Sequence, residues 1–261
     1  MRVSTLAGLA GLAAGALLPL ERAAAQTEFH WKGRIAAGKA IEIKGVNGDV
    51  RAVAGSGETE VTAAKHAHRS DPDEVKIEVV EHEDGVTICA VYPSDGRRDN
   101  TCEAGDHGHM NTHDNDVRVN FTVRVPAGVR FAGHTVNGEV EAANLSGDVE
   151  AHSVNGSIRV STSGSAEAST VNGSITASMG RAQWTDALEF HTVNGGITLN
   201  LPPNVSTEVR ASTVNGDIET DFPLMVTGRL GPRRVTGTIG SGGRRLALET
   251  VNGSIRLRKS T

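Results

Sequence analysis

Between residues 41 and 257 the apolar side chains fall in a recurrent frame that is not a helical period. Leu246 and Leu248 precede Val251, and Ile255 and Leu257 follow it; Leu188, Phe190, Val193, Ile197 and Leu199 repeat the arrangement. With the central Val counted as zero, apolar residues stand at −5, −3, 0, +4 and +6. Seven copies fit, and of their thirty-five positions only Gly133 and Thr220 depart from Val, Ile, Leu, Phe or Ala. Pairs two apart are the alternation of a strand with one buried face. The step from 0 to +4 has to cross a bend if both residues face inward, so the frame predicts strand, bend, strand, with the Val of each copy in the core.

The bend is Asn-Gly in every copy: Asn47-Gly48, Asn137-Gly138, Asn155-Gly156, Asn172-Gly173, Asn194-Gly195, Asn215-Gly216 and Asn252-Gly253. Gly takes positive φ without steric cost, and Asn tolerates the left-handed region better than most residues. Asn-Gly between strands ordinarily signals a hairpin, so a meander of hairpins competes with a coil. Spacing decides for the coil. From Asn137 the steps are 18, 17, 22 and 21, and residues 235–239 form a degenerate copy with steps of 21 and 16 around it. Residues 145–149 repeat the 0/+4 spacing nine residues from each neighbouring Val, so one turn holds two half-turns.

Identical corners once per turn are what a coil of stacked rungs needs. The expected fold is therefore all-β: a right-handed parallel β-solenoid of about 18–22 residues per turn, the hand following the crossover rule. Longer steps place the extra residues, 179–184 and 202–204, in the opposite corner. Stacked Asn side chains would either join amides from rung to rung or serve only through their backbone preference; the sequence leaves both open.

A strand-rich region precedes the regular coil. Residues 58–65, 75–81, 86–92 and 117–125 read as strands, with a hairpin turn at 82–85. Residues 93–116 are polar and read as a long exposed His/Asp-rich loop. The organisation expected is a signal peptide over 1–25, a strand-rich part over 26–126, and regular solenoid repeats over 127–261, continuous with 41–53.

The signal peptide rests on Arg2, the apolar run from Leu6 to Leu18, and Ala23-Ala24-Ala25 as a cleavage site. That run is too short to span a bilayer, which takes ~20 residues, and no later segment is apolar enough to do so. Export to the periplasm, cell envelope or exterior follows. It also changes the reading of the two cysteines, Cys89 and Cys102, which an oxidising compartment would join.

Composition narrows the chemistry. Aromatics make up 3% of the chain and Gly numbers 31, so the core is a thin one of Val, Ile, Leu and Ala. The net charge is −5 with Lys and Arg scattered, which excludes a basic stripe for nucleic acid. A glycan-cleaving β-helix would need clustered carboxylates. The residues after each corner Gly, namely Asp49, Glu139, Ser157, Ser174, Gly196, Asp217 and Ser254, form no acidic column, and no nucleophile motif or phosphate loop is present. No catalytic residue and no cofactor is assigned. The suggestive cluster is His107, His109 and His113, with Cys102 and Asp106, Asp114 and Asp116 nearby, as ligands for Zn²⁺ or Cu²⁺. A disulfide at Cys102 competes with that reading, and a solvated loop is the plainer alternative.

The TVNGSI-type units, the early IEIKGVNGDVRA, the VNFTVRVPAGV strand and the terminal GSGGRRLALETVNGSIRL resemble the bacterial putative-adhesin family, exported domains of β-strand repeats. The resemblance spans residues 41–257. It implies a β-solenoid in the envelope, acting as a non-enzymatic scaffold toward another protein, glycan or surface, and it brings no catalytic residues. Metal binding or envelope-stress sensing through the His-rich loop is the alternative, and a polysaccharide-active enzyme a third reading.

Overall fold

The computed structural model describes residues 28–94, 96, 98–105, 107–226 and 233–260. The segment read as a signal peptide lies outside them. Twenty-one strands and one 3-10 turn, Pro72–Glu74, are present among the described residues. The strands form two sheets, of ten and eleven, and the chain passes from one to the other at every corner. It is a β-solenoid of eight rungs, each giving one strand to each sheet.

Six rungs lie in the regular part: Arg130–His134 with Val140–Leu145, Val149–His152 with Ile158–Thr162, Ala166–Ser169 with Ile175–Met179, Leu188–Asn194 with Ile197–Leu201, Thr207–Asn215 with Ile218–Thr220, and Arg245–Asn252 with Ile255–Lys259. Two more come from the N-terminal part: Ala40–Lys44 with Val50–Ala54, and Gly85–Val91 with Arg118–Val125. All neighbouring rungs pair in parallel, and like residues meet. Val140, Ile158, Ile175 and Ile197 form one column, which Ile255 and Ile218 continue. These side chains are almost fully buried except at the last rung, and burial of each contributes ~1.5–3 kcal/mol. Gly133 breaks the apolar frame because the Phe131 ring fills its space: a Cβ there would lie 2.9 Å from Phe131 Cζ.

The rungs do not stack in chain order. In both sheets 40–54 lies between 85–125 and 130–145, and 245–259 lies between 188–201 and 207–220. Residues 235–239, read as a degenerate corner, instead belong to the strand Arg234–Ile239, which runs antiparallel to Thr207–Asn215. It covers an edge that would otherwise offer unpaired backbone groups. Antiparallel strands also close the other end: Thr59–His66 beside Arg118–Val125, Glu28–Gly33 beside that, and Lys76–His82 beside Gly85–Val91. The sequence pattern did not reveal Glu28–Gly33.

Residues 92–117 stand where every other rung has Asn-Gly, so the long loop is one enlarged corner. It is tied down more closely than its polarity suggests. Cys102 is buried and bonded to Cys89, with Cα atoms 5.7 Å apart. Asn100 donates to the carbonyls of Tyr92 and Asn111 at 2.8 Å and accepts from the Asn111 N–H. The Tyr92 hydroxyl donates to the Val117 carbonyl at 2.7 Å, and burial pushes its pKa up to about 12. Residues 180–187 and 202–206 bulge at the corner opposite Asn-Gly, where extra residues were expected at 179–184 and 202–204; Met179 instead ends the strand Ile175–Met179 and is buried.

Candidate functional site

The Asn-Gly corner is a built column. Asn137, Asn155, Asn172 and Asn194 each donate Nδ2 to Oδ1 of the preceding Asn, beginning at Asn47, every time at 2.8 Å. Asn252 donates to Asn194 and Asn215 to Asn252 at the same distance. The amide ladder is therefore real, and the left-handed explanation of these residues is not. Asp114 and Asn144 are the non-glycine residues with positive φ among those described, and of the corner glycines only Gly48 has one. Gly is required for close approach instead: a Cβ on Gly195 would lie 2.0 Å from the carbonyl oxygen of Gly173.

Val46, in the first copy, is buried as expected, but in the other six copies the Val does not enter the core. Val136, Val154, Val171 and Val251 are more than a third exposed and Val214 is 53% exposed. The strand alternation runs one residue further than expected, so the preceding Thr or Ser takes the inward position. Thr135, Ser153, Thr170, Thr192, Thr213 and Thr250 are all buried. Each hydroxyl donates to the carbonyl of a Gly in the adjacent rung at 2.8–2.9 Å. A buried hydroxyl so paired avoids the desolvation penalty that made it look like a surface residue.

Outward residues of the eleven-stranded sheet form further columns. Four of the seven copies carry Glu at −4: Glu42, Glu150, Glu167 and Glu189. Glu150 and Glu167 are register partners, and the pairing of Ala168 with Phe190 sets Glu189 beside Glu167. Burial and the charges of Glu150 and Glu189 hold the Glu167 carboxyl above its usual range. The acidic column sought after the corner glycines thus lies before the corner, where it was not sought.

Next to it, at −2, stand Lys44, His134, His152 and His191. The rings of His134 and His152 stack with centroids 5.0 Å apart. His152 meets Glu150 Oε1 at 2.9 Å through Nε2 and Ser169 Oγ at 2.8 Å through Nδ1. That contact draws the Glu150 pKa down, while burial and the neighbouring His152 lower that of His134. Glu42, only 6% exposed, accepts from Thr87 Oγ1 at 2.6 Å and from the Gly105 N–H at 3.1 Å. Lys44 donates to the carbonyls of Glu103, Gly105 and His107. The disulfide-bonded loop therefore lies over the start of this face.

A cleft of about 240 Å³ opens on the same face, lined by Arg130, Glu150, Glu167, Arg181, Trp184 and Asp186 among others. The bulge 180–187 supplies one wall, and the strands 130–134, 149–152 and 166–169 contribute most of the rest. Arg181 is paired with Asp148 at 3.1 Å, and Arg130 donates Nε to the Gly38 carbonyl at 3.1 Å.

His107, His109 and His113 are not gathered. Among the described residues no three His, Cys, Asp or Glu side chains are placed to hold a metal ion. His113 faces Asp114 at 3.3 Å on the surface, the His109 N–H bonds Thr101, and Cys102 is consumed by the disulfide. No helix among the described residues is long and apolar enough to cross a membrane.

The Toastrack DUF4097 family model matches residues 34–258. Among solved structures, a putative cell adhesion protein of Clostridium sporogenes ATCC 15579 is 11% identical, with 89% of this chain and 100% of that chain covered and a TM-score of 0.48. A putative adhesin of Bacteroides fragilis NCTC 9343 is 14% identical over 88% of this chain and 96% of its own, with a TM-score of 0.38. A putative adhesin of Parabacteroides distasonis ATCC 8503 is 12% identical over 90% and 98%, with a TM-score of 0.25. A comparison with curated proteins finds no match.

Proposed function

The chain belongs to the Toastrack DUF4097 family, and from that premise we propose that it is a non-enzymatic, exported protein of the envelope or cell surface. Its role on this reading is to hold a partner, protein or glycan, against the outer face of the eleven-stranded sheet. One observation carries the reading. Glu150, Glu167 and Glu189 are aligned on adjacent rungs, and no ion pair or hydrogen bond engages Glu167 or Glu189 among the described residues. Like charges directly opposite one another destabilise a sheet. A face that keeps them against that cost, on a stack stiffened by two hydrogen-bonded ladders, suits recognition better than self-support. The disulfide supports export, because such bonds persist in oxidising compartments.

The test is direct binding of the purified chain to washed envelopes. The wild-type chain is expected to be retained. The triple variant Glu150→Gln, Glu167→Gln, Glu189→Gln is expected to be lost while still folded, as circular dichroism would show. Equal retention of both, or of neither, would refute the reading.

A further inference from the structure

The geometry points to Asn215-Gly216 as a site of spontaneous covalent modification, where the Gly216 nitrogen closes on the Asn215 side chain and expels ammonia. The inference goes beyond the proposed function and does not depend on what the outer face binds.

All seven corners carry the same reactive pair. Asn is a chemically labile residue, and a following Gly offers its nitrogen without a Cβ to obstruct the approach. In the reaction the Gly nitrogen loses its proton to solvent and bonds to the Asn Cγ, while Nδ2 takes up a proton and leaves as ammonia. Water then opens the cyclic imide at either carbonyl, giving aspartate or isoaspartate. The sum is hydrolysis of one side-chain amide, with water as the co-reactant.

The stack restrains this reaction at six corners. Gly48, Gly138, Gly156, Gly173, Gly195 and Gly253 each donate their N–H to the carbonyl of the Asn in the next rung, at 3.0–3.1 Å. Attack requires that N–H to be released and the Asn side chain to swing toward it. At Asn137, Asn155, Asn172, Asn194 and Asn252 this breaks three bonds: the Gly N–H bond, the donation from Nδ2 and the acceptance at Oδ1. Asn47, at one end of the ladder, keeps the Gly48 bond and the amide of Asn137, and its carbonyl accepts from the Val119 N–H at 2.7 Å.

Asn215 stands at the other end. Its rung is outermost in the ten-stranded sheet, and the antiparallel strand Arg234–Ile239 pairs no further along the chain than Ser212. Among the described residues nothing accepts from the Gly216 N–H and nothing donates to Asn215 Oδ1. One bond holds the side chain, from Nδ2 to Asn252 Oδ1 at 2.8 Å. The neighbouring Val214 is the most exposed of the corner valines, so water reaches the pair. Conversion replaces Nδ2 by a carboxylate oxygen facing Asn252 Oδ1, acceptor against acceptor, and the ladder opens from this end.

Peptide mapping by mass spectrometry tests this on the purified full chain, held folded in mildly alkaline buffer and, in parallel, unfolded in urea. In the folded chain the Asn215 peptide is expected to gain the mass of deamidation at least about tenfold faster than the peptide of any other corner, because fewer hydrogen bonds have to break. In urea all seven corners are expected to convert at similar rates. Isoaspartate should appear beside aspartate at position 215, since direct hydrolysis yields aspartate alone. Another corner converting as fast in the folded chain, an intact Asn215 while the unfolded chain converts, the same preference for Asn215 in urea, or aspartate without isoaspartate would each overturn the proposal.

Discussion

Asn252 donates its side-chain amide to Oδ1 of Asn194 at 2.8 Å across 58 residues of sequence. Asn215, although earlier in the chain than Asn252, lies beyond it in the stack and donates to it. The last rung is therefore clamped inside the solenoid. The first is held likewise, with Ala40–Lys44 between Gly85–Val91 and Arg130–His134. Neither rung can leave without breaking two ladders, so the first and last rungs of the coil in chain order are tied to its interior, although fraying ordinarily begins at chain ends.

A chain ending at Gly243 loses that interior rung. It is expected to show no cooperative thermal transition by circular dichroism, because the rungs 188–201 and 207–220 would face each other across a missing layer of Leu246, Leu248, Ile255 and Leu257. A sharp transition within about 5 °C of the full chain, equivalent to ~1–2 kcal/mol at this size, would show that the outer rung closes onto 188–201 by itself.

Thr192→Val separates the two readings of the corner. The variant keeps shape but leaves the Gly173 carbonyl without the hydroxyl that now meets it at 2.8 Å, at a cost of ~1–3 kcal/mol. Val214→Thr, at a position 53% exposed, is expected to fall within ~0.5 kcal/mol of wild type. Urea unfolding measures both. If Val214→Thr proved the costlier change, the hydroxyl column would not carry the corner.

That pair shows what the sequence could and could not say. Repeat, strand alternation and corner position follow from the spacing of Val, Asn and Gly, since each rung must meet its like. The inward identity at the corner does not follow. Val is apolar and Thr polar, and only the adjacent Gly carbonyl, a feature of the stack and not of the segment, reverses their burial. Rung order is hidden for a similar reason: Asn194, Asn215 and Asn252 sit in near-identical units, and nothing local says which neighbours which. The Glu column was legible in principle, as four Glu at −4, but it is visible only once the outward positions before the bend are read as a surface. The Cys89–Cys102 bond was expected from export, whereas the fixing of the loop by Lys44 and Asn100 depends on distant carbonyls.

Gly195→Ala tests the close approach. A Cβ 2.0 Å from the Gly173 oxygen and 2.5 Å from its carbon meets backbone that cannot rotate away. The rungs have to separate locally, and overpacking of this kind costs ~1–3 kcal/mol or more. Loss of the Asn172–Asn194 amide bond should accompany it, read from slowed or lost protection of the Asn194 side-chain amide by NMR. Unchanged stability would mean that the column is looser than its geometry.

Reduction of the disulfide should release the loop from the face it covers. The closed segment between Cys89 and Cys102, 13 residues apart, corresponds to ~3 kcal/mol by the chain-entropy relation. Dithiothreitol is expected to lower the unfolding midpoint accordingly. Hydrogen exchange should rise at Gly105, whose N–H now bonds Glu42, with the corner amides from Gly138 to Gly195 unaffected. Exchange rising uniformly along the stack would show that the bond supports the whole fold and not this corner.

Stability should fall on acidification in two adjoining windows. Burial and His152 depress the His134 pKa below its ordinary 6.5, and the groups facing it are Glu42, Lys44, Glu150 and His152. The unfolded chain then takes up a proton at a higher pH than the folded one, so stability is complete above about 6.5 and declines as pH falls below it. Glu150, depressed by its hydrogen bond to His152 from an ordinary 4.5, has the same sign. Its contribution is present above about 4.5 and is lost as pH falls through its folded value. Glu167 acts oppositely: with its pKa raised by burial and by Glu150 and Glu189, it loses stability as pH rises through that value, so Glu167→Gln should raise the neutral-pH midpoint by about 1–2 °C. Urea midpoints for wild type and His134→Gln between about pH 8 and pH 5 test the upper window. The wild-type decline should flatten in the variant, and an identical slope would place the titrating group elsewhere.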